Sequence, residues 1–215
     1  MWRCSCLGGE APHLRISSLG CEADRLQLLV SSYNEDHPDQ VPAKGVFADR
    51  REQVGDIHSG SVDVTLLRTP FDNRGLDSDR LWTDDYVALL GGGHRLAGRT
   101  VVEREELAGE VHPVWSVGPT APVPGARWTG PDTSLLDWKP GPVVHDTGQY
   151  LSAIRLGEAI GLAPRTVVSA ASPEGINVVP VVGLPPSELH VAWLATATSP
   201  DLARFVRHAG QLADH

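Results

Sequence analysis

Residues 14–46, LRISSLGCEADRLQLLVSSYNEDHPDQVPAKGV, decide how this chain is read. They open with an extended run, Leu14 to Leu19, that breaks at Gly20. Asp24 is expected to cap the following segment by accepting hydrogen bonds from the unpaired amides of a first helical turn. Leu26, Leu29, Val30 and Tyr33 then recur at i, i+3, i+4 and i+7, the spacing of one helical face. Pro38 ends the helix near His37, because proline disfavours helical geometry at the residue before it. A second extended run from about Val41 to Phe47 completes a strand–helix–strand unit, whose strands should be parallel neighbours with a right-handed crossover. Ligands of such units lie beyond the carboxyl ends of the strands, at the helix N-termini. Here that place is the polar loop Ser17 to Cys21, which an ordinary βα turn would also explain.

Working outward, the same alternation continues. Residues 49–58 have helical character and stop at Gly60, a C-cap candidate. Residues 62–67, VDVTLL, are β-branched and apolar, the composition of a buried strand, and run into the polar turn Arg68-Thr69-Pro70. The first third therefore reads β-α-β-α-β. Two more strands are expected at residues 76–82 and 86–90. The triple glycine Gly91-Gly92-Gly93 is either a flexible loop or a hinge where the chain leaves one domain.

Beyond it, residues 101–107 read as a brief helix with Glu103, Glu105 and Glu106 near its start, where the helix dipole favours negative charge. Residues 111–117 form a strand, whereas residues 118–138 show no period. A short strand at Val143-Val144 leads through His145, Asp146 and Thr147 into a helix whose inner face carries Leu151, Ile154 and Ala159. Strands follow at 176–182 and 189–195, and a final helix at 200–212 buries Leu202, Phe205 and Val206. The pattern is α/β in two halves, residues 13–91 with 190–215 and residues 92–189, after an expected disordered leader of residues 1–12. Clefts at domain interfaces are common ligand sites.

Bulk properties exclude more than they identify. A formal net charge of −9 argues against nucleic-acid binding by this chain itself, since phosphate contacts need a basic face. Three cysteines are too few for a disulfide framework, and Cys4 and Cys6 have no neighbouring partners for a metal. No apolar run has the length of a membrane span, and the first dozen residues lack the apolar core of a secretory signal. A cytoplasmic protein is expected. His94, His112 and His145 lack metal-ligand spacing. Ser17-Ser18 does not form a nucleophile elbow, so no catalytic residue, metal or cofactor is assigned.

Several stretches together resemble the effector-binding domain of LysR-type transcriptional regulators. They are the LRIS strand with its helix ending YNEDHPD, the segment HSGSVDVTLLRTP, and LWTDDYVALLGGGHRLAG, with Arg95 where the family usually has proline. HDTGQYLSAIRLGEAIGLAP follows, where Ala159 replaces a glycine of the family's pattern. The resemblance implies a type 2 periplasmic-binding-protein-like fold: two Rossmann-like lobes joined by two crossover strands, with an effector held between them. It implies effector contacts at Ser18, Gly20 and Cys21, at Ala48 and Asp49, and at Arg68 and Thr69 from the first lobe. The second lobe would add Ser116 and Val117, then Asp146 and Thr147.

Turn amides at helix N-termini suit an anionic group, and Arg68 could add a bidentate contact. The family more often has a small hydroxyl residue near Gly20 or Cys21. Asp146 and Thr147 are equally well explained as helix caps, Arg68 as a solvated turn residue, and Trp115, Trp128 and Trp138 as packing. The resemblance also implies a homodimer in which the first helix and the strand near Val41 to Phe47 face the partner's second lobe. DNA would be reached only through a DNA-binding domain, for which a dozen leading residues leave no room. A solute-binding protein of the same fold and a small α/β enzyme remain as alternatives.

Overall fold

A computed structural model describes residues 12–49, 52–116, 137–169 and 174–214. The chain divides into two compact units. Unit 1 comprises residues 1–66, 75–79 and 191–215, and unit 2 comprises residues 67–74 and 80–190.

Unit 1 begins with the expected motif. Strand β1 (Leu14–Ser18), helix α1 (Ala23–Asp36) and strand β2 (Ala43–Phe47) follow one another, and β1 pairs in parallel with β2, Leu14 opposite Ala43 through Ser18 opposite Phe47. Asn34, near the end of α1, sets the return. Its side-chain amide donates to the Ala43 carbonyl at 3.0 Å and its oxygen accepts from the Ala43 amide at 2.8 Å. Helix α2 (Gln53–Ser59) ends on Gly60 at φ 72°, a left-handed cap that glycine adopts without a Cβ penalty.

Strand β3 (Val64–Arg68) lies parallel on the other side of β1. With β4 (Leu76–Asp84) and β11 (Ser187–Leu194) it completes a five-stranded sheet of order β2-β1-β3-β11-β4. Strands β3, β4 and β11 each cross the boundary between the units along the chain. Helix α5 (Pro200–Ala213), capped by the Ser199 hydroxyl, packs on α1. Ile16, Leu29, Tyr33 and Phe205 are fully buried there, with the Tyr33 and Phe205 rings edge-on at 5.2 Å.

Unit 2 is built on β5 (Tyr86–Gly91), all six of whose residues are buried. It sits between β9 (Gly161–Pro164) and β10 (Ile176–Val182), antiparallel to both, and β6 (Val102–Glu103) pairs in parallel with β10. Because strand side chains alternate between faces, Tyr86, Ala88 and Leu90 enter one core with Leu107, Ile160 and Val179. Val87 and Leu89 enter the other, with Tyr150 and Ile154 of α3 (Thr147–Arg155). A separate parallel pair joins β7 (Val111–Trp115) to β8 (Lys139–Val144). A short helix α4 (Arg165–Ser169) follows β9.

Four expectations change. The cap of α1 is not Asp24: a 3-10 turn, Gly20–Glu22, starts the helix earlier and leaves Asp24 in the first turn. The brief helix expected at 101–107 is β6 followed by a 3-10 turn, Arg104–Leu107. Glu103 and Glu106 cap that turn reciprocally, so the acidic cluster marks its start. Strand β9 and helix α4 leave no mark in the sequence, since four strand residues and five helical ones carry too few periods to show. Residues 86–91, assigned by sequence to the first lobe, form β5, which is paired with β9 and β10 inside unit 2. The unperiodic residues 118–136 lie outside the described residues.

Candidate functional site

The carboxyl ends of β1 and β3 in unit 1 are held by buried polar side chains. Ser17 Oγ donates to Thr65 Oγ1 at 2.8 Å, and the Gln53 side-chain amide donates to the Leu66 carbonyl at 3.0 Å. Ser18, fully buried, turns its hydroxyl to the Leu19 carbonyl at 3.0 Å, and its own carbonyl accepts from the Ala48 amide at 2.9 Å. The loops after β1 and β2 are thus tied together, which brings Ser18, Gly20, Cys21, Ala48 and Asp49 to one end of the parallel strands.

Leu19, which precedes the 3-10 turn, gives it no side-chain cap. Glu22, buried at the start of α1, lies 3.8 Å from Arg25. The Asp49 carbonyl accepts from the Glu52 and Gln53 amides where α2 begins. Cys21 is half-buried and makes no disulfide among the described residues.

In unit 2 the ends of β7 and β8 lie side by side, Trp115 opposite Val144, with the Ser116 amide donating to the Val144 carbonyl at 2.8 Å. This places Ser116 beside the start of α3. Asp146 caps that helix, its Oδ1 accepting from the Gln149 amide at 2.8 Å, and Thr147, the first helical residue, is exposed. Val117 lies outside the described residues.

Arg68 and Thr69, expected from the first lobe, fall in unit 2. Arg68 Nη2 donates to Asp84 Oδ2 at 2.7 Å and Nη1 to the Ser187 hydroxyl at 3.1 Å. The Thr69 amide donates to the Glu188 carbonyl at 3.0 Å.

Beneath α3 lies an aromatic group that contains Trp115, Trp138 and His112; the sequence reading makes His112 a surface or loop residue, whereas it is buried within β7. The Trp115 and Tyr150 rings are stacked, 5.4 Å apart and 14° from parallel, and the His112 ring lies 4.5 Å from that of Trp138. Tyr150 OH accepts from the Leu162 amide at 3.1 Å and is 3.5 Å from His112 Nε2, while His112 Nδ1 lies 3.1 Å from the Pro113 carbonyl. One tautomer satisfies all of these: Nδ1–H donates to Pro113 and Nε2 accepts from the phenol. Burial pushes the His112 imidazole down to about 4, against the opposing effect of its bond to Pro113.

Among the described residues no three His, Cys, Asp or Glu side chains are grouped to hold a metal ion. No helix among them is long and apolar enough to cross a membrane. An open groove of about 430 Å³ in unit 1 is lined by Asp79, Trp193, Leu202, Val206 and Arg207, among others; none of the expected site residues borders it.

The two units, joined along the chain through strands β3, β4 and β11, have the type 2 periplasmic-binding-protein-like fold. The LysR substrate binding domain family matches residues 7–214, and the chain belongs to that family. Its members are regulatory effector-binding domains, not enzymes.

Solved structures agree in fold. The effector binding domain of QuiR in complex with shikimate superposes with a TM-score of 0.75 at 14% identity, covering 95% of this chain and 98% of that one. The BenM effector binding domain with its effector benzoate gives 0.71 at 15% identity, covering 96% and 94%. The regulatory domain of Synechocystis PCC6803 CcmR in complex with 2-PG gives 0.71 at 13%, covering 95% and 98%. No curated protein matches the chain in sequence.

Proposed function

We propose that this chain is the ligand-sensing domain of a LysR-type transcription factor, and that a small effector binds in a cleft between its lobes. The observation that carries the reading is the family match over residues 7–214. Relatives of the same fold, QuiR, BenM and CcmR, hold shikimate, benzoate and 2-PG. The contact set is Ser18, Gly20 and Cys21 with Ala48 and Asp49 from unit 1, and Thr69, Ser116, Val117, Asp146 and Thr147 from unit 2.

Arg68 joins that set as a further contact, its guanidinium also holding Asp84 and Ser187. An anionic group on the effector suits the amides of the strand-end turns that open the helices. Preferential binding to a closed arrangement shifts the hinge and, through it, the assembly of the regulator.

The test is a thermal-shift screen of small carboxylates, aromatics and amino acids in the cytoplasmic pH range. A ligand that raises the melting temperature of the natural chain and loses its effect in Thr147→Ala and Ser116→Ala supports the site. A ligand unaffected by both places the site elsewhere.

The domain also forms a homodimer through α1 and the edge strand β2. There Leu28 is half exposed and Phe47 is 70% exposed at the end of β2, the edge strand of the sheet among the described residues. Cytoplasmic location and DNA contact through a separate DNA-binding domain follow from the same reading. A monomer in light scattering at high concentration contradicts the dimer.

A further inference from the structure

A bonded cluster of polar side chains in unit 2 surrounds Asp84. Its side chain is 4% exposed, yet both carboxylate oxygens are used: Oδ2 accepts from Arg68 Nη2 at 2.7 Å and Oδ1 from the Thr166 hydroxyl at 2.9 Å. Arg68 also donates to the buried Ser187 hydroxyl at 3.1 Å. These four residues come from the end of β3, the end of β4, the start of α4 and the start of β11.

Around them the chain after Arg68 is bonded to β11. The Thr69 amide donates to the Glu188 carbonyl at 3.0 Å, the Glu188 amide donates to Thr69 Oγ1 at 3.4 Å, and the Phe71 and His190 rings meet edge-on at 5.5 Å. Residues 67–74 accordingly belong to unit 2, although they continue a strand that starts in unit 1.

We propose that Arg68 is a positioning residue: with Asp84, Thr166 and Ser187 it pins residues 67–71 to unit 2 and so sets the place of Thr69. The fork of a guanidinium suits this task, since two of its nitrogens reach two acceptors on different strands at once. Pairing with that cation offsets part of the cost of burying the carboxylate.

The inference rests on the two-lobe reading above in one consequence. Thr69 travels with unit 2 on effector binding, and the chain bends at Leu66 and Leu67 rather than after the turn. The pin itself requires no effector. Its failure and the failure of the effector reading are therefore separately visible.

The experiment is amide hydrogen exchange on the whole chain without ligand, comparing the natural protein with Arg68→Met, Arg68→Lys and Ser187→Ala. Arg68→Met keeps the length of the side chain and removes its charge and donors. The proposal expects exchange at the Thr69 and Glu188 amides to rise tenfold or more in Arg68→Met, with Ser17, Thr65 and the α1 amides unchanged. Arg68→Lys, able to keep one bond to Asp84, recovers part of that protection. Ser187→Ala, which leaves the ion pair intact and serves if Arg68→Met does not fold, gives a smaller rise at the same two amides.

Equal protection in Arg68→Met and Arg68→Lys would reduce Arg68 to a space-filler and overturn the proposal. Unchanged exchange at Thr69 and Glu188 in every variant would overturn it too.

Discussion

Removing one oxygen from Tyr150 is expected to destabilise unit 2 while leaving its packing intact. In Tyr150→Phe the ring and its stack on Trp115 remain, so neither cavity nor overpacking contributes. What disappears is the acceptor for the Leu162 amide, 3.1 Å away in a buried setting. An N–H left without a partner costs about 1–3 kcal/mol. The phenol's second bond, to His112 Nε2, is at the long limit of 3.5 Å and adds little. The expected loss is therefore about 1–2 kcal/mol.

Urea unfolding followed by tryptophan fluorescence suits the measurement, because Trp115 stacks on Tyr150 and Trp138 packs against His112. With a denaturant slope of about 2 kcal/mol per molar, the midpoint should fall by roughly 0.5–1 M at constant slope. Tyr150→Leu, which also gives up the stack, should fall further. A midpoint for Tyr150→Phe within error of the natural protein refutes the assignment of the phenol as the Leu162 partner.

Three further outcomes follow from neighbouring residues. Gly161→Ala places a Cβ 2.6 Å from Ile154 Cδ1 and 2.8 Å from Tyr150 OH. Overpacking of about 1–3 kcal/mol should lower the melting temperature by several degrees in calorimetry. Asp146→Ala removes the cap of α3, which should cost about 0.5–2 kcal/mol in urea unfolding and speed exchange at the Gln149 amide. The third concerns pH. His112 is held neutral in the folded state, with its imidazole pushed from 6.5 down to about 4. The unfolded chain therefore binds the extra proton first as pH falls. The stability contributed is complete above 6.5 and is lost progressively down to about 4, amounting to about 3 kcal/mol at most. A His112 imidazole resonance that titrates near 6.5 in the folded protein contradicts this.

The first strand–helix–strand unit was legible because its signals are local and repeated. A four-residue apolar stripe, a terminating proline and the extended runs on either side agree on one answer. Strand β9 escaped because its partner, β5, lies some seventy residues earlier, and no local pattern encodes that pairing. The turn positions Ser18, Ala48, Ser116 and Asp146 were found because strand ends follow from strand assignments. Arg68 was found as a polar turn residue, but its partners could not be. Asp84 and Ser187 stand 16 and 119 residues away, and each reads locally as an ordinary end of a strand. The supporting shell of Gln53, Thr65, His112 and Tyr150 was missed for the same reason: a buried polar residue advertises itself only through the group it meets.

The central claim is that a small effector is taken up at the strand-end turns of both lobes. Amide chemical-shift mapping tests it most directly, using the compound from the screen that raises the melting temperature most. The account predicts that the largest saturable shifts fall on Ser18, Gly20 and Cys21, on Ala48 and Asp49, and on Ser116 and Thr147 together. Shifts confined to the groove of Trp193, Leu202 and Arg207, with those turns silent, contradict it.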